Sequence, residues 1–122
     1  MKLKKLPYAL TICKVKSLAD IHLNADFYFI GRTEEELSLV CRTEDTPIHT
    51  TGREDGWRGF CVEGILDFSL TGILSGISSL LAGNQIGIFA VSTYNTDYIL
   101  VKAGDFERAL SVLKAGGYEV IP

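Results

Sequence analysis

The sequence predicts an α+β fold in which a β-sheet carries two helices on one face. Three observations support this prediction. The second half of the chain contains two amphipathic helical patterns, and short β-rich segments precede, separate and follow them. Apolar residues make up 47% of the 122 residues, which is enough for a substantial hydrophobic core.

The two helical patterns have recognisable ends. In the first, SLTGILSGISSLLAG, the apolar residues fall on one helical face: Leu70, Ile73, Leu74, Ile77, Leu80 and Leu81. Ser69 is the predicted N-cap, and Gly83 with Asn84 predicts a left-handed stop. The second pattern, FERALSVLKAGG, follows Asp105 as its predicted cap and ends at Gly116.

Four strands are predicted around these helices. Residues 57–68 alternate apolar and polar positions through Phe60 and Val62, as a half-buried strand does. Residues 85–92 and 97–103 are β-rich and form a hairpin across the turn TYNT, and residues 118–121 form the last strand. The order βαββαβ predicts a ferredoxin-like sandwich, with an antiparallel sheet and both helices on one face.

The first half is less regular and mostly β. Three of its segments predict strands: residues 8–15, 26–31 and 37–42. The last two form a hairpin across a polar turn, residues 17–22 predict one helical turn, and residues 42–56 predict an exposed loop. We therefore predict two domains. Residues 1–57 would be a reduced, mostly β copy of the unit that residues 58–122 form completely.

Charge and composition exclude several functional classes. The net charge is −3, and residues 61–122 hold six acidic but only three basic residues. Without a basic stripe to neutralise phosphates, we expect no nucleic-acid partner. No apolar run approaches the roughly 20 residues that a membrane helix needs, so we expect no membrane partner.

The cysteines and histidines predict neither a metal site nor an active site. Cys13, Cys41 and Cys61 are widely spaced, no CxxC pair exists, and His22 and His49 lie near none of them in sequence. We interpret the cysteines as buried, reduced thiols of a cytoplasmic protein. Because no cluster of titratable residues suits catalysis, we expect a protein that is not an enzyme and has no cofactor.

Two loops carry the side chains that suit a small zwitterion. The loop DFSLTG, residues 67–72, precedes a helix whose free N–H groups favour a carboxylate, and Gly72 permits close approach. Ser69 and Thr71 add hydroxyls. In residues 93–97, Asp97 can accept from an ammonium group, Thr93 and Thr96 can donate or accept, and Tyr94 offers a flat wall. Ordinary capping and turn-forming roles remain an alternative for all of them.

Residues 64–120 resemble the ACT domain, an amino-acid-sensing module of regulated metabolic enzymes. The most specific part is the run FAVSTYNTDYILV, residues 89–101. The chain is also similar to small stand-alone tandem-ACT proteins, which are related to the regulatory region of aspartokinases and to cytosolic arginine sensors. Thr71 precedes Gly72 where the aspartokinase domains tend to carry Pro-Gly.

The resemblance implies a ligand pocket between two ACT units packed side by side. The matching residues that it implicates are Asp67, Ser69, Leu70, Thr71, Gly72, Thr93, Tyr94, Thr96 and Asp97. We therefore predict a regulatory or sensor module that binds a small amino acid or related metabolite, forms a homodimer and signals to a protein partner. The alternative is a structural oligomerisation module without a functional pocket.

Overall fold

A computed structural model describes residues 1–67 and 71–122, which form two compact units. The terminal unit comprises Met1–Pro7 and Arg58–Pro122, and the central unit comprises Tyr8–Trp57. The strands are β1 (Lys2–Lys5), β2 (Leu10–Lys14), β3 (Tyr28–Arg32), β4 (Leu37–Arg42), β5 (Gly52–Val62), β6 (Phe89–Ser92), β7 (Asp97–Lys102) and β8 (Glu119–Ile121), and the helices are α1 (Ile73–Ala82) and α2 (Phe106–Ala115).

The terminal unit has the predicted α+β, ferredoxin-like order. After β5 the chain forms α1, β6, β7, α2 and β8, so the predicted βαββαβ order is confirmed. β6 pairs antiparallel with β7, and β7 pairs with β5. Buried residues of both helices, of alternate strand positions and of the segment between α1 and β6 share one core: Leu3, Phe60, Val62, Ile77, Leu81, Ile86, Ile99, Val101, Phe106, Ala109, Leu110 and Leu113.

A strand that the sequence did not predict completes this sheet. β1 lies between β5 and β8, antiparallel to the first with Leu3 opposite Val62 and parallel to the second with Leu3 opposite Val120. The prediction of a purely antiparallel, four-stranded sheet is therefore wrong in this detail. The segment KLKK has a single apolar residue, too few for an alternating pattern. β1 groups with residues 58–122, although the sequence assigned residues 1–57 to a separate domain. The two-domain division itself stays a prediction.

Both ends of α1 differ from the prediction. The helix begins at Ile73, and Gly72 occupies the N-cap position with φ 77°. Ser69, the predicted cap, lies outside the described residues. At the other end Gly83 has helical backbone angles, and the left-handed residue is Gln85 with φ 57°. The Asn84 side-chain amide donates to the Leu80 carbonyl at 2.9 Å, which satisfies a carbonyl of the last turn.

The start of α2 lies where the sequence predicts it. Asp105 is the N-cap residue, although its carboxylate makes no capping hydrogen bond. Arg108 donates to that carboxylate instead, over 3.1 Å. The helix ends at Ala115, before Gly116 and the left-handed Gly117, as predicted.

The central unit is a small sheet. β3 pairs with β4, β4 with β2, and β2 with residues 52–57 of β5, so its three predicted strands and their hairpin are confirmed. The predicted loop over residues 42–56 is wrong from Gly52 onward, where β5 begins. Residues 53–56 are exposed and polar, so the segment lacks the apolar alternation of a half-buried strand.

The three cysteines are buried and free, as predicted. Cys13 and Cys41 lie in the core of the central unit with Val15, Ile21, Leu37 and Leu39. Burial raises the pKa of the Cys13 thiol from 9.0 to about 11, and it raises the pKa of the Cys41 and Cys61 thiols in the same direction. All three thiols are therefore protonated, and inert as nucleophiles, near neutral pH.

Candidate functional site

A cavity of about 300 Å³ lies in the terminal unit between the start of α1 and the β6–β7 hairpin. Three segments line it: the loop after β5, the first turn of α1, and the hairpin. The lining residues are Leu66, Asp67, Gly72, Ile73, Leu74, Ser75, Ser92, Thr93, Tyr94, Asn95, Thr96 and Asp97. The structure thus places Asp67 and Gly72, the two ends of the first predicted loop, on the same cavity as residues 93–97 of the second.

The turn of the hairpin is fixed by its own threonines. Thr93 N–H donates to the Thr96 carbonyl at 2.8 Å, and the Thr93 hydroxyl donates to the same oxygen at 3.0 Å. The buried Thr96 hydroxyl donates to the Val62 carbonyl at 2.7 Å, which ties the turn to β5. Because both hydroxyl protons have backbone acceptors, these oxygens would act toward a ligand mainly as acceptors.

The loop after β5 is held against the same turn. Leu66 N–H donates to the Asn95 carbonyl at 2.7 Å, so the backbone on one wall of the cavity is fixed to the backbone on the other. Ile65 and Tyr94, next to these two residues, are 78% and 79% exposed. A rigid turn and a tethered loop therefore frame the cavity, and an exposed tyrosine ring stands at its rim.

Asp97 provides a partly satisfied carboxylate on the hairpin wall. It lies opposite Ser92 in the β6–β7 ladder, and the Ser92 hydroxyl donates to Asp97 Oδ1 at 2.6 Å. Within residues 1–67 and 71–122, no protein group donates to Oδ2. This second oxygen can accept a hydrogen bond from a cationic group in the cavity.

The start of α1 provides donors on the opposite wall. Gly76 N–H donates to the Gly72 carbonyl at 2.9 Å, the first backbone bond of the helix, and the N-cap residue Gly72 makes no side-chain capping bond. The preceding N–H groups of the first turn have no acceptor within the helix. Leu74 and Ser75 of that turn line the cavity. The positive end of the helix dipole therefore lies at the wall that faces the hairpin.

The side chains give the cavity a negative charge. Asp67 and Asp97 both line it, and the described lining contains no lysine, arginine or histidine. The other polar side chains of the described lining are uncharged: Ser75, Ser92, Thr93, Tyr94, Asn95 and Thr96. Backbone donors at the start of α1 and the Asp97 carboxylate on the hairpin offer separate places for an anion and a cation.

Six of the nine predicted site residues lie on this cavity. Asp67, Gly72, Thr93, Tyr94, Thr96 and Asp97 line it. Thr71 instead lines a neighbouring cavity of about 330 Å³, together with Met1 and Tyr118. Ser69 and Leu70 lie outside the described residues. A ligand role for any of these residues stays a prediction.

Several lining residues were not predicted from the sequence. Ser75 lies one helical turn after Gly72, so correct placement of the start of α1 at Ile73 would have brought it to the site. Ser92 is the hairpin partner of Asp97, and the strand register would have identified it. Leu66 carries no signal in the sequence, because an apolar residue after a strand ordinarily belongs to the core.

The family model of the ACT domain matches residues 52–115, just over half of the length of this chain. The chain belongs to the ACT-domain family. The match covers the complete β6–β7 hairpin and α1, so the described cavity lies within the ACT domain. No curated protein sequence matches the chain.

Solved structures show the same fold. A protein from Agobacterium tumefaciens is 32% identical, with a TM-score of 0.88 over 98% of this chain and 91% of that one. The regulatory subunit of aspartate kinase from Thermus thermophilus, in its ligand-free form, is 9% identical, with a TM-score of 0.63 over 93% and 95%. Aspartate kinase from Clostridium acetobutylicum is 13% identical, with a TM-score of 0.63 over 91% of this chain and 33% of that one. The ACT fold is therefore shared with aspartokinase regulatory regions.

Residues 1–67 and 71–122 contain no group of three or more His, Cys, Asp or Glu side chains that could hold a metal ion. None of the helices in those residues has the length and apolar character needed to cross a membrane. The cavity beside α1 is the candidate site of the ACT domain because six of the predicted site residues line it.

Proposed function

We propose that this ACT protein is a regulatory module, not an enzyme, that binds a small amino acid or related metabolite in the cavity between α1 and the β6–β7 hairpin. One observation carries the proposal: the start of α1 and the Asp97 carboxylate line the same cavity. An amino acid carries a carboxylate and an ammonium group a few ångströms apart, and these two walls complement them.

The proposed binding mode follows from the two walls. The ligand carboxylate accepts from N–H groups of the first turn of α1, where Gly72 presents no side chain. The ammonium group donates to Oδ2 of Asp97, whose Oδ1 is already held by Ser92. Tyr94 covers the ligand from the rim, and residues 67–72 grip its backbone. Asp67, Thr71 and Gly72 of that loop are among the described residues. Ser69 and Leu70 are not, and they are included in the proposal because the sequence predicts them as ligand-binding residues.

The charge of the lining predicts the selectivity of the site. Asp67 and Asp97 carry negative charge, and the described lining has no basic side chain that would neutralise a second carboxylate. Acidic amino acids should therefore bind more weakly than neutral or basic ones, because like charges at short range repel. A ligand with a cationic side chain would gain a second carboxylate partner.

Assembly and signalling complete the proposal. In the described residues β6 pairs with a strand on one side only, so its other edge is available to a second ACT unit. We propose that the chain forms a homodimer, that the ligand lies at the interface of paired ACT units, and that binding shifts the population of two arrangements that a protein partner reads. The buried reduced thiols fit a cytoplasmic protein without a cofactor.

A thermal-shift screen against the twenty amino acids tests this function. A true ligand at about 100 times its dissociation constant should add about 2.7 kcal/mol of apparent stability. Asp97→Asn should abolish that gain while leaving the unliganded protein nearly as stable, because an amide oxygen can still accept from Ser92. Glu107→Gln is the matched control, since Glu107 is exposed on α2 and does not line the cavity.

Two results would contradict the proposal. If none of the twenty amino acids stabilises the protein, the structural oligomerisation module becomes the better explanation, and the oligomeric state should then be unaffected by every ligand. If Asp97→Asn and Glu107→Gln reduce the stabilisation equally, the ligand does not contact Asp97, and the site lies elsewhere.

A further inference from the structure

A second cavity is formed by residues of the central unit alone. Its volume is about 520 Å³, and two segments of the central unit line it: the 3-10 turn after β2 and the segment before β5. The lining residues are Lys16, Asp20, Ile48, His49, Thr50 and Thr51. The family match begins at residue 52, after these side chains, and the proposed function uses none of them.

Backbone contacts hold both lining segments to the sheet. Thr51 N–H donates to the Lys14 carbonyl at 2.8 Å, and Val15 N–H donates to the Leu37 carbonyl at 3.0 Å. The Ser17 hydroxyl accepts from Ala19 N–H at 3.1 Å and so caps the 3-10 turn. The side chains around the cavity therefore project from a defined backbone, as a binding site requires.

The polar side chains of this cavity are not engaged with the described protein. Within residues 1–67 and 71–122, no hydrogen bond or ion pair joins the side chains of Lys16, Asp20, His49, Thr50 or Thr51 to another protein group. Ile48, beside them, is 90% exposed. The cavity thus combines an ammonium group, an imidazole and two hydroxyls with one carboxylate and one exposed apolar side chain.

We propose that this cavity binds the phosphate group of a small phosphorylated metabolite. Lys16 supplies the positive charge, and His49, Thr50 and Thr51 supply further donors for the phosphate oxygens. The volume exceeds what a phosphate group fills, which leaves room for an organic part. Asp20 accepts from a hydroxyl of that part, and Ile48 packs against its carbon atoms.

A titration of the full chain with glycerol 3-phosphate tests this site. The measurement is the amide chemical shift of each residue at each ligand concentration. Saturable shifts are expected at residues 16, 20 and 48–51. Lys16→Gln should weaken the apparent affinity about tenfold through the loss of a charge-assisted contact, and Thr50→Val should weaken it less. Lys114→Gln, at an exposed lysine of α2, is the matched control and should leave the affinity unchanged.

The reagents separate phosphate recognition from general effects. Glycerol, which lacks the phosphate, should produce no saturable shifts, and acetate at equal ionic strength should bind more weakly. The proposal is overturned if glycerol 3-phosphate gives no saturable shifts up to about 20 mM, a range that detects even millimolar binding. It is also overturned if acetate binds equally well, or if Lys16→Gln and Lys114→Gln change the affinity by the same factor.

Discussion

Thr11 of β2 is a fully buried polar residue whose hydroxyl contacts both β5 and the turn after β4. Its hydroxyl donates to Asp55 Oδ1 at 2.7 Å and shares a hydrogen bond with the Thr43 hydroxyl at 2.9 Å. Arg53 Nε also donates to Asp55 Oδ1, at 3.0 Å. The hydrogen bond from Thr11, and then the one from Arg53, lower the pKa of the Asp55 carboxyl below its ordinary value.

Thr11→Val should therefore raise the pKa of Asp55 and lower the free energy of unfolding by about 1 kcal/mol. A depressed pKa in the folded state contributes stability above the unfolded pKa and loses it as the pH falls through the folded pKa. The variant should lose less of its stability on acidification than the wild type. A carboxyl chemical-shift titration of Asp55, with urea unfolding at two pH values, measures both effects.

Thr11→Ser is the matched control for this prediction, because serine keeps the donor that Asp55 uses. It should preserve the low pKa of Asp55, whereas Thr11→Val should not. If Asp55 titrates at the same pH in the wild type and both variants, the hydroxyl of Thr11 does not set its pKa.

At the level of the element, the start of α1 depends on one backbone conformation. Gly72 has φ 77°, a region that residues with a Cβ rarely adopt, and a Cβ added there would meet no heavy atom within 4 Å. Gly72→Ala should therefore cost about 1–2 kcal/mol of stability through backbone strain alone. Gly104→Ala is the matched control, since that site has equal space and no positive φ. Urea unfolding of both variants should show a loss only for Gly72→Ala, and equal losses would contradict the strain argument.

Local signals explain which elements the sequence predicted. The β6–β7 hairpin and the strand pair β3–β4 have apolar strands around polar turns, and both were correctly predicted. The helix start was displaced because Ser69 is a good capping residue by type, whereas the backbone begins the helix after Gly72. Residues 52–56 were not predicted as part of a strand because their side chains are polar. Their pairing with β2 nevertheless places them in the sheet. The candidate site was predicted to a similar extent. Its two loops have recognisable sequences, but Ser75 could be assigned to the site only from the start of α1, and Ser92 only from the register of β6 and β7.

At the scale of the whole molecule, the terminal unit joins the two ends of the chain. β1, at residues 2–5, lies between β5 and β8, at residues 52–62 and 119–121. Such a pairing depends on contacts far apart in sequence, and the four residues of β1 give no period that would predict it. Its one apolar side chain, Leu3, is 0% exposed and belongs to the core shared by both helices.

Leu3→Ala should consequently destabilise the protein by about 2–5 kcal/mol, the range for a buried leucine whose cavity cannot fully collapse. Leu23→Ala makes the same chemical change at a leucine that is 51% exposed, and it should change stability by no more than about 0.5 kcal/mol. Urea unfolding compares the two variants, and amide exchange at Val62 and Val120, opposite Leu3, reports whether the loss is local to the sheet. Faster exchange there with a large loss of stability would identify β1 as a structural strand of the ACT domain. A loss no greater than that of Leu23→Ala would contradict this prediction. It would mean that the other strands and the two helices form a stable core without β1, and that Leu3 contributes little to the stability of the ACT domain.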